Sequence, residues 1–314
     1  MLITLTQIDL EQAYSRISKD IKKTPLIRSS FLSKRWEADV FLKCEQYQEI
    51  GAFKIRGAAN FCRLLYLNSY KNQLITHSSG NHAQAVAYMA SLLGYHADIV
   101  MPSNSNKVKI ANAKRWGATI HLCEPTIESR ETTAHTLVKE KKGVLVPPYD
   151  HEWIIAGQAT ASMESFKEVP FIDIIMTPLG GGGLLSGTCL ARNYFSKQTE
   201  VVGSEPNNAR DGFEGLKMGK RVKSHKPNTI ADGLRTTVGE IPFQILKSHL
   251  DKLWLAPEED IRYWFYTFLR EERMVVEPSC VVPIAAADQQ KNYIKGKRIV
   301  IVMTGGNVDF NNLP

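Results

Sequence analysis

Residues 51–60 read Gly-Ala-Phe-Lys-Ile-Arg-Gly-Ala-Ala-Asn, a run that places one lysine between an aromatic residue and a helical segment bounded by glycines. A lysine becomes a nucleophile or a base when burial or a neighbouring cation lowers the pKa of its ammonium. Phe53 and Ile55 offer apolar surroundings for Lys54, and Arg56 offers a cation. Because an isolated lysine is usually solvated, Lys54 becomes a candidate catalytic residue only together with the stretches described next.

Three further stretches come directly after apolar runs that are typical of strands. They read His77-Ser78-Ser79-Gly80-Asn81-His82, Gly180-Gly181-Gly182-Gly183 and Thr304-Gly305-Gly306-Asn307. In open parallel α/β sheets, ligands bind at the ends of the strands. The sequence therefore predicts that the small polar residues and glycines of these stretches line a ligand site.

Strand-like and helical segments alternate through most of the chain. After a predicted helix over 9–21 with Asp9 as its cap, strand-like segments at 74–76, 97–102, 119–122 and 143–148 alternate with helical segments at 83–93, 107–116 and 128–141, and strand-like segments recur at 172–176, 200–205 and 298–303. Such alternation predicts an α/β architecture with parallel sheets and right-handed crossovers. We expect a small mobile α/β domain at 71–148, inserted into a larger domain made of 1–70 and 149–314.

The composition is that of a globular protein and limits the classes of partner. Of the 314 residues, 43% are hydrophobic and 23% charged, and 39 Lys and Arg against 32 Asp and Glu give a net charge of +7. This excess favours anionic ligands, but the basic residues are scattered, so we expect no nucleic-acid partner. The five cysteines are odd in number and widely spaced, as is typical of reduced thiols. Without a signal peptide or a run of roughly 20 apolar residues, the sequence predicts a cytoplasmic protein with no membrane partner.

The motifs resemble those of one enzyme family when they are taken together and in order. Phe53-Lys54-Ile55-Arg56-Gly57-Ala58, Ser78-Ser79-Gly80-Asn81-His82 and the four-glycine loop resemble the fold-type-II pyridoxal-phosphate enzymes, and within them the serine/threonine dehydratase and serine racemase family. The resemblance extends from about Thr24 to Asp309, and no appended regulatory domain is expected after it. It implies a tryptophan synthase β-like fold of two open, twisted α/β domains with mostly parallel sheets. It also implies a homodimer, with the cofactor bound to the larger domain.

Pyridoxal phosphate needs an amine, a phosphate cradle and a partner for its ring nitrogen. The resemblance implies that Lys54, next to Phe53 in the cofactor site, binds the cofactor covalently and later removes the substrate α-proton. Gly180, Gly181, Gly182 and Gly183 allow backbone N–H groups to approach the phosphate, and the helix that starts at Leu184 adds a favourable dipole; a flexible turn is the alternative interpretation. Thr304 matches the family's hydroxyl partner of the ring nitrogen, which favours elimination over transamination, although it could be a simple strand-end residue.

The substrate is expected at the Ser78–His82 stretch, where hydroxyls and the exposed amides of a helix N-terminus suit a carboxylate. The resemblance implies that Ser79 is the second acid/base of the racemases, opposite Lys54, and that Asn81 contacts the phenolic oxygen of the cofactor. It also places Ser78, His82, Asp232 and Thr236 near the substrate. The alternative is that Ser78 or Ser79 only caps the helix.

A second group of residues lies in the turn after the strand-like segment 200–205. Glu205 and Asp211 are two carboxylates six residues apart, which could share a hard cation with the carbonyl of Ala209 and waters. The resemblance implies a divalent cation, Mg, Mn or Ca, bound by these three residues. Without the family, a solvated acidic turn is the favoured interpretation.

Some residues differ from the family pattern and bear on specificity. Glu49 replaces a basic residue of the nucleotide-activated animal racemases, which argues against activation by ATP. Cys280-Val281-Val282-Pro283 is bulkier than the small residues usual after Glu277-Pro278-Ser279. These differences leave Lys54 and the glycine loop unchanged, so they affect the expected specificity and not the use of the cofactor.

The resemblance implies a pyridoxal-phosphate-dependent ammonia-lyase for small β-hydroxy amino acids. L-Serine, L-threonine or 3-hydroxyaspartate would give a 2-oxo acid and ammonia, and reprotonation from Ser79 would add racemisation. Three alternatives are open: an enzyme that is predominantly a racemase, a β-replacement enzyme or threonine synthase, and a catalytically silent relative that binds the cofactor. Nicotinamide binding is disfavoured because the glycine loop lacks the spaced fingerprint and its acidic residue.

Overall fold

The computed structural model describes residues 5–78, 80–105 and 107–313. In chain order the strands are β1 (Leu26–Arg28), β2 (Asp39–Cys44), β3 (Leu74–His77), β4 (Ala97–Pro102), β5 (Thr119–Cys123), β6 (Val144–Leu145), β7 (Ile174–Pro178), β8 (Glu200–Pro206), β9 (Lys252–Ala256) and β10 (Arg298–Met303). The helices are α1 (Gln7–Ile17), α2 (Ser30–Trp36), α3 (Lys54–Leu67), α4 (Asn81–Leu93), α5 (Lys107–Arg115), α6 (Ile127–Lys141), α7 (Glu152–Glu168), α8 (Gly183–Phe195), α9 (Asp211–Met218), α10 (Glu240–His249), α11 (Glu258–Thr267), α12 (Pro278–Asp288) and α13 (Lys291–Ile294).

The strands form two sheets. The larger has the order β1-β2-β10-β7-β8-β9 and the smaller has the order β5-β4-β3-β6. β1 pairs with β2 antiparallel, and the other pairings in the described sheets are parallel. The predicted α/β architecture with mostly parallel sheets is thus confirmed.

The smaller sheet takes its strands only from residues 74–145, within the segment predicted as an inserted domain. The larger sheet takes its strands from both sides of that segment. The domain boundaries themselves, at 71 and 148, and the mobility of the smaller domain stay predictions.

The core of the larger sheet is built around β10. Residues 299–303 of this strand are fully buried, and its neighbours are β2 and β7. An uninterrupted apolar run is typical of a parallel strand that is covered on both faces. Helices α7, α8 and α12 supply much of this cover, and all three have long runs of buried residues.

Several segment ends differ from the prediction, and two of these differences have a local reason. α1 starts at Gln7 with Thr6 as its cap, and Asp9 is the third helical residue, whose carboxylate accepts from Thr6 N at 2.8 Å. The capping box therefore contains Asp9, but Asp9 is not the cap. β6 is limited to Val144–Leu145, because Pro147 and Pro148 have no N–H to donate to a neighbouring strand.

The topology brings several strand ends to one place. The carboxyl ends of β3, β7 and β10 are followed by the three stretches singled out in the sequence, and α3 begins at Lys54 itself. Phe53 N donates to Thr304 O at 3.0 Å, which joins the start of α3 to the end of β10. No described helix combines the length and apolarity needed to cross a membrane.

Candidate active site

A cavity lies between the carboxyl ends of the two sheets. The smaller sheet and its helices contribute residues around Ser78, together with Lys109 and Arg130. The larger sheet contributes Phe53, Lys54, the glycine loop, the 232–237 segment, Glu277 and Thr304. The stretches around Lys54, Asn81, the four glycines and Thr304 therefore converge on one site, as the sequence predicted for strand ends.

Lys54 is the first residue of α3, and its amine faces the cavity. Its Nζ donates to the carbonyl of Pro148 at 2.8 Å, and the rings of Phe53 and Tyr149 have their centroids 5.3 Å and 5.8 Å from it. Burial lowers the pKa of Lys54 to about 8. Near pH 7 about a tenth of Lys54 is therefore a neutral amine, against less than about one in a thousand for a solvated lysine.

Arg56 does not contribute to this lowered pKa, contrary to the expectation from the sequence. Its guanidinium is fully buried and pairs with Glu45 at 2.7 and 2.8 Å and with Glu164 at 2.9 Å. Two carboxylates thus compensate its charge on the core side of α3. Desolvation alone lowers the pKa of Lys54, and Arg56 instead ties α3 to α7 and to the turn after β2.

The glycine loop between β7 and α8 leaves no room for side chains. A Cβ on Gly181 would lie 2.2 Å from the Tyr149 ring, and one on Gly182 would lie 2.6 Å from Pro242 Cβ. Gly182 also has a φ of +90°, which favours glycine. Gly182 caps α8 without a side-chain hydrogen bond, so the amides at the start of this helix can serve an anion in the cavity. Leu184, in the first turn of α8, also lines the cavity.

The N-terminus of α4, which lies within the Ser78–His82 stretch, has no side-chain cap. The N-cap is Gly80, and Ser78 Oγ accepts from Gly80 N at 3.2 Å, so Ser78 does not cap the helix. Burial lowers the pKa of His82 to about 3. The Nε2 atom of His82 forms a hydrogen bond with Val146 O at 3.1 Å, and its Nδ1 atom has no hydrogen-bond partner among the described residues. Ser79 lies outside the described residues, so its role stays a prediction.

Asn81 belongs to a group of polar residues that the sequence did not fully reveal. Its Nδ2 donates to Glu277 Oε1 at 2.7 Å, and Asn307 Nδ2 donates to Asn81 Oδ1 at 2.8 Å. Lys109 Nζ lies 3.0 Å from Glu277 Oε2 and 2.6 Å from Asp232 Oδ2. The Glu277-Pro278-Ser279 motif before a helix was a signal that could have indicated Glu277. Lys109 is one of several lysines on α5, and no sequence pattern distinguishes it from the others.

Thr236 and Thr304 both line the cavity. The hydroxyls of Thr236 and Tyr149 share a hydrogen bond of 2.9 Å, and Tyr149 also covers the glycine loop. Burial raises the pKa of the Tyr149 phenol, so the phenol stays neutral. Tyr149 is a further cavity residue that sequence reasoning missed, because its place depends on the connection from β6 to α7.

Comparison with known proteins places the chain in a family. The sequence matches the family described as pyridoxal-phosphate dependent enzyme over residues 17–305. The chain belongs to this family. It is 39% identical over 309 residues to serine racemase from Schizosaccharomyces pombe, with 98% of this chain and 96% of that relative covered. It is 36% identical over 309 residues to beta-hydroxyaspartate dehydratase from Paracoccus denitrificans, with 98% of each covered.

A solved structure of maize serine racemase has the same fold as this pyridoxal-phosphate-dependent enzyme. The TM-score is 0.95 at 34% identity, with 98% of this chain and 95% of that chain covered. The family resemblance and the fold class that were read from the sequence are thereby confirmed.

The cavity of this pyridoxal-phosphate-dependent enzyme fits the cofactor on observations of its own. Lys54 presents an amine with a lowered pKa, and the glycine loop forms a cradle that a Cβ would fill. The uncapped start of α8 adds amides for the phosphate. The roles of individual residues stay predictions, but the donor set is the one that the cofactor needs.

The predicted cation residues lie outside this cavity, at the carboxyl end of β8. Burial, reinforced by Asp211, raises the pKa of Glu205 well above its usual value, and burial raises that of Asp211. Glu205 accepts from Gly212 N at 2.9 Å and from Phe213 N at 2.8 Å. Ala209 is buried beside them.

The charge of these two carboxylates is poorly compensated. Within the described residues, the ion pair that either carboxylate makes is between Asp211 and His225 Nε2, at 3.6 Å. Arg221 acts on Asp211 only from a distance and makes its own ion pair with Glu240, so this buried negative charge fits a cation. The described part of the chain holds no group of three or more His, Cys, Asp or Glu side chains ready to bind a metal, so a cation here would depend on the Ala209 carbonyl and on water.

Proposed function

We propose that this protein catalyses β-elimination of small β-hydroxy amino acids, namely L-serine, L-threonine or 3-hydroxyaspartate, to a 2-oxo acid and ammonia. The observation that carries the proposal is Lys54, an amine with a pKa of about 8 in a cavity that also contains the glycine loop and Thr304. Relatives that are named serine racemase and beta-hydroxyaspartate dehydratase support the choice of substrate.

Bound pyridoxal phosphate supplies an electron sink for the bonds around the substrate α-carbon. The protein supplies the proton transfers and the orientation. Lys54 can accept a proton as a neutral amine and return it as an ammonium near neutral pH, because its pKa is close to the working pH. The hydroxyl of Thr304 is a neutral partner for the ring nitrogen, which moderates the sink and favours elimination.

The substrate carboxylate is assigned to the start of α4. Gly80 leaves the first amides of this helix without a side-chain cap, and Ser78 and His82 lie beside them in the cavity. Amides at a helix N-terminus bind a carboxylate favourably. Binding there would hold the substrate between α4 and the larger sheet.

Racemisation is the second proposed activity. It needs an acid on the face of the substrate opposite Lys54, and Ser79 is the proposed group because the family resemblance implies this role for it. The 39% identity with a relative named serine racemase supports this activity. We further propose a divalent cation at Glu205, Ala209 and Asp211, a mobile smaller domain and a cytoplasmic homodimer.

The deciding experiment measures 2-oxo acid release from L-serine, L-threonine and L-threo-3-hydroxyaspartate by cofactor-loaded protein, with a parallel assay for D-serine. Release from at least one substrate is expected, and a Lys54→Ala variant should lose it. D-Serine without 2-oxo acid would favour the racemase. A cofactor spectrum that no amino acid changes would favour the silent relative.

A further inference from the structure

A continuous line of polar side chains runs along one wall of the cavity. It begins at the carbonyl of Ile50, which accepts from Asn307 Nδ2 at 2.8 Å, and continues through Asn81 to Glu277. It ends at Lys109, which donates to Glu277 and to Asp232. The six residues come from six separate segments of the chain, so the line is a tertiary feature.

The two ends of this line fix the orientation of every amide in it. The carbonyl of Ile50 can only accept, so Asn307 must present its NH₂ group there, and the same group donates to Asn81 Oδ1. At the other end the Lys109 ammonium can only donate. Asn81 must therefore direct its NH₂ group to Glu277, which uses one of the two Nδ2 hydrogens and leaves the second for the cavity.

Glu277 is the acceptor for the Asn81 NH₂ group. An ionised Glu277 accepts from Asn81 and from Lys109 at once, whereas a protonated Glu277 offers Asn81 only a weaker, neutral acceptor. Burial raises the pKa of Glu277, and Lys109 opposes that rise. The charged or titratable groups around Glu277 are Lys109, Asp232 and the Cys280 thiol.

Lys109 is a buried ammonium, because the attraction of Glu277 and Asp232 outweighs desolvation and raises its pKa. It projects from α5, beside the smaller sheet, to two carboxylates of the other part of the molecule. Its two ion pairs are the only ones that join described residues of 71–148 to the rest of the described chain. Its Nζ would lie 3.6 Å from a Cβ at Gly80, next to the start of α4.

We propose that Lys109 is a positioning residue for the cofactor: by keeping Glu277 ionised, it holds the Asn81 amide so that its second N–H faces the phenolic oxygen of bound pyridoxal phosphate. The inference rests on the proposed function and on the contact of Asn81 with that oxygen, which the family resemblance implies. Lys109 acts through Glu277 and Asn81.

The test uses the absorption spectrum of the cofactor-loaded protein, since the bound cofactor absorbs at longer wavelength when its phenolic oxygen is anionic. Lys109→Met should let Glu277 take up a proton, which weakens the hydrogen bond that Glu277 accepts from the Asn81 amide. The ratio of the long- to the short-wavelength band should then fall, and the cofactor dissociation constant should rise about tenfold, as for the loss of one hydrogen bond to a charged group. Lys114→Met, an exposed lysine on the same helix, should change neither quantity.

A double variant separates positioning from general damage. In Lys109→Met/Glu277→Gln the glutamine carbonyl can accept from Asn81 without a counter-ion, so the band ratio should return to within about twofold of wild type. If Lys109→Met does not fold, Glu277→Gln makes the comparison with Lys109 present: its one carbonyl faces the Lys109 ammonium and its NH₂ group faces Asn81, so the band ratio should fall, and adding Lys109→Met should restore it.

The outcomes decide between the inference and the proposed function. A wild-type spectrum in Lys109→Met, or a double variant as altered as the single one, would overturn the role of Lys109 while the proposed function stands. Wild-type protein that forms no cofactor band would overturn the proposed function and this inference together.

Discussion

The lowered pKa of Lys54 predicts how fast the protein takes up its cofactor as a function of pH. Only a neutral amine adds to the aldehyde of pyridoxal phosphate. Because the pKa of Lys54 is about 8, the reaction should reach half of its limiting rate near pH 8. A solvated lysine would reach half of its limiting rate only near pH 10.4, its ordinary pKa being about 10.4. The rate of appearance of the cofactor band in cofactor-free protein, measured from pH 6 to 10, checks this. A midpoint near 10 would contradict it, and Lys54→Ala should show no band.

The buried guanidinium of Arg56 predicts a large loss of stability when its charge is removed. It is buried between Glu45 and Glu164, so Arg56→Met would leave these carboxylates with too little positive charge and should lower the free energy of unfolding by about 3–5 kcal/mol. Urea unfolding of the cofactor-free protein measures this difference. Arg262→Met, on an exposed position of α11, should stay within about 0.5 kcal/mol.

At the residue scale the sequence predicted Lys54 correctly as an amine facing the cavity but misjudged its neighbour. Lys54 and Arg56 are both cationic and two positions apart, and helical spacing turns them to different sides of α3. Which side meets buried acids depends on Glu45 and Glu164, which lie 11 residues before and 108 residues after Arg56. Such long-range pairs cannot be read from a local motif.

At the element scale, the loop from β7 to α8 should tolerate no added methyl group. Gly181→Ala would place a Cβ 2.2 Å from the Tyr149 ring, so either the ring or the loop must move away from the phosphate position. We expect the cofactor dissociation constant to rise at least about tenfold, the equivalent of 1.4 kcal/mol, with the fold retained. Titration of cofactor-free protein by fluorescence measures it.

A matched glycine distinguishes this effect from a general loss of stability. Gly94 ends α4 with a φ of +74°, and nothing lies within 4 Å of its added Cβ. Gly94→Ala should lower the melting temperature because of backbone strain but leave the cofactor dissociation constant unchanged. Equal losses of affinity in both variants would contradict the steric argument.

The alternation of strands and helices made most elements predictable, but not the partners of individual side chains. Strand β4 was predicted with its observed bounds, Ala97–Pro102, because its hydrophobic run ends in a proline. Lys109 on α5 was not recognised, although its helix was predicted. A helix can be placed from its own periodicity, but the partners of one of its side chains depend on how two sheets meet.

At the scale of the whole molecule, the proposed cation site is connected to the cofactor loop. Asp211 Oδ2 accepts from Val238 N at 2.9 Å, and the next residue, Gly239, donates its N–H to Gly181 O at 3.1 Å. A cation at Glu205 and Asp211 would therefore fix the segment before α10, and through it the glycine loop. No single motif contains this connection, which is why the sequence suggested two independent sites.

Removing the cation should then weaken cofactor binding as well as stability. Treatment with a chelator leaves two buried carboxylates without a counter-ion, so the melting temperature should fall and the cofactor dissociation constant should rise about fivefold or more, the scale of typical coupling between two sites. Differential scanning fluorimetry and cofactor titration, each with Mg²⁺, Mn²⁺ or Ca²⁺ and with chelator, measure both quantities.

In Glu205→Gln/Asp211→Asn, neither quantity should respond to the chelator, because the buried charge is gone. A chelator effect of the same size in this variant would place the cation elsewhere, and a lower melting temperature without a change in cofactor affinity would break the link through Val238 and Gly239.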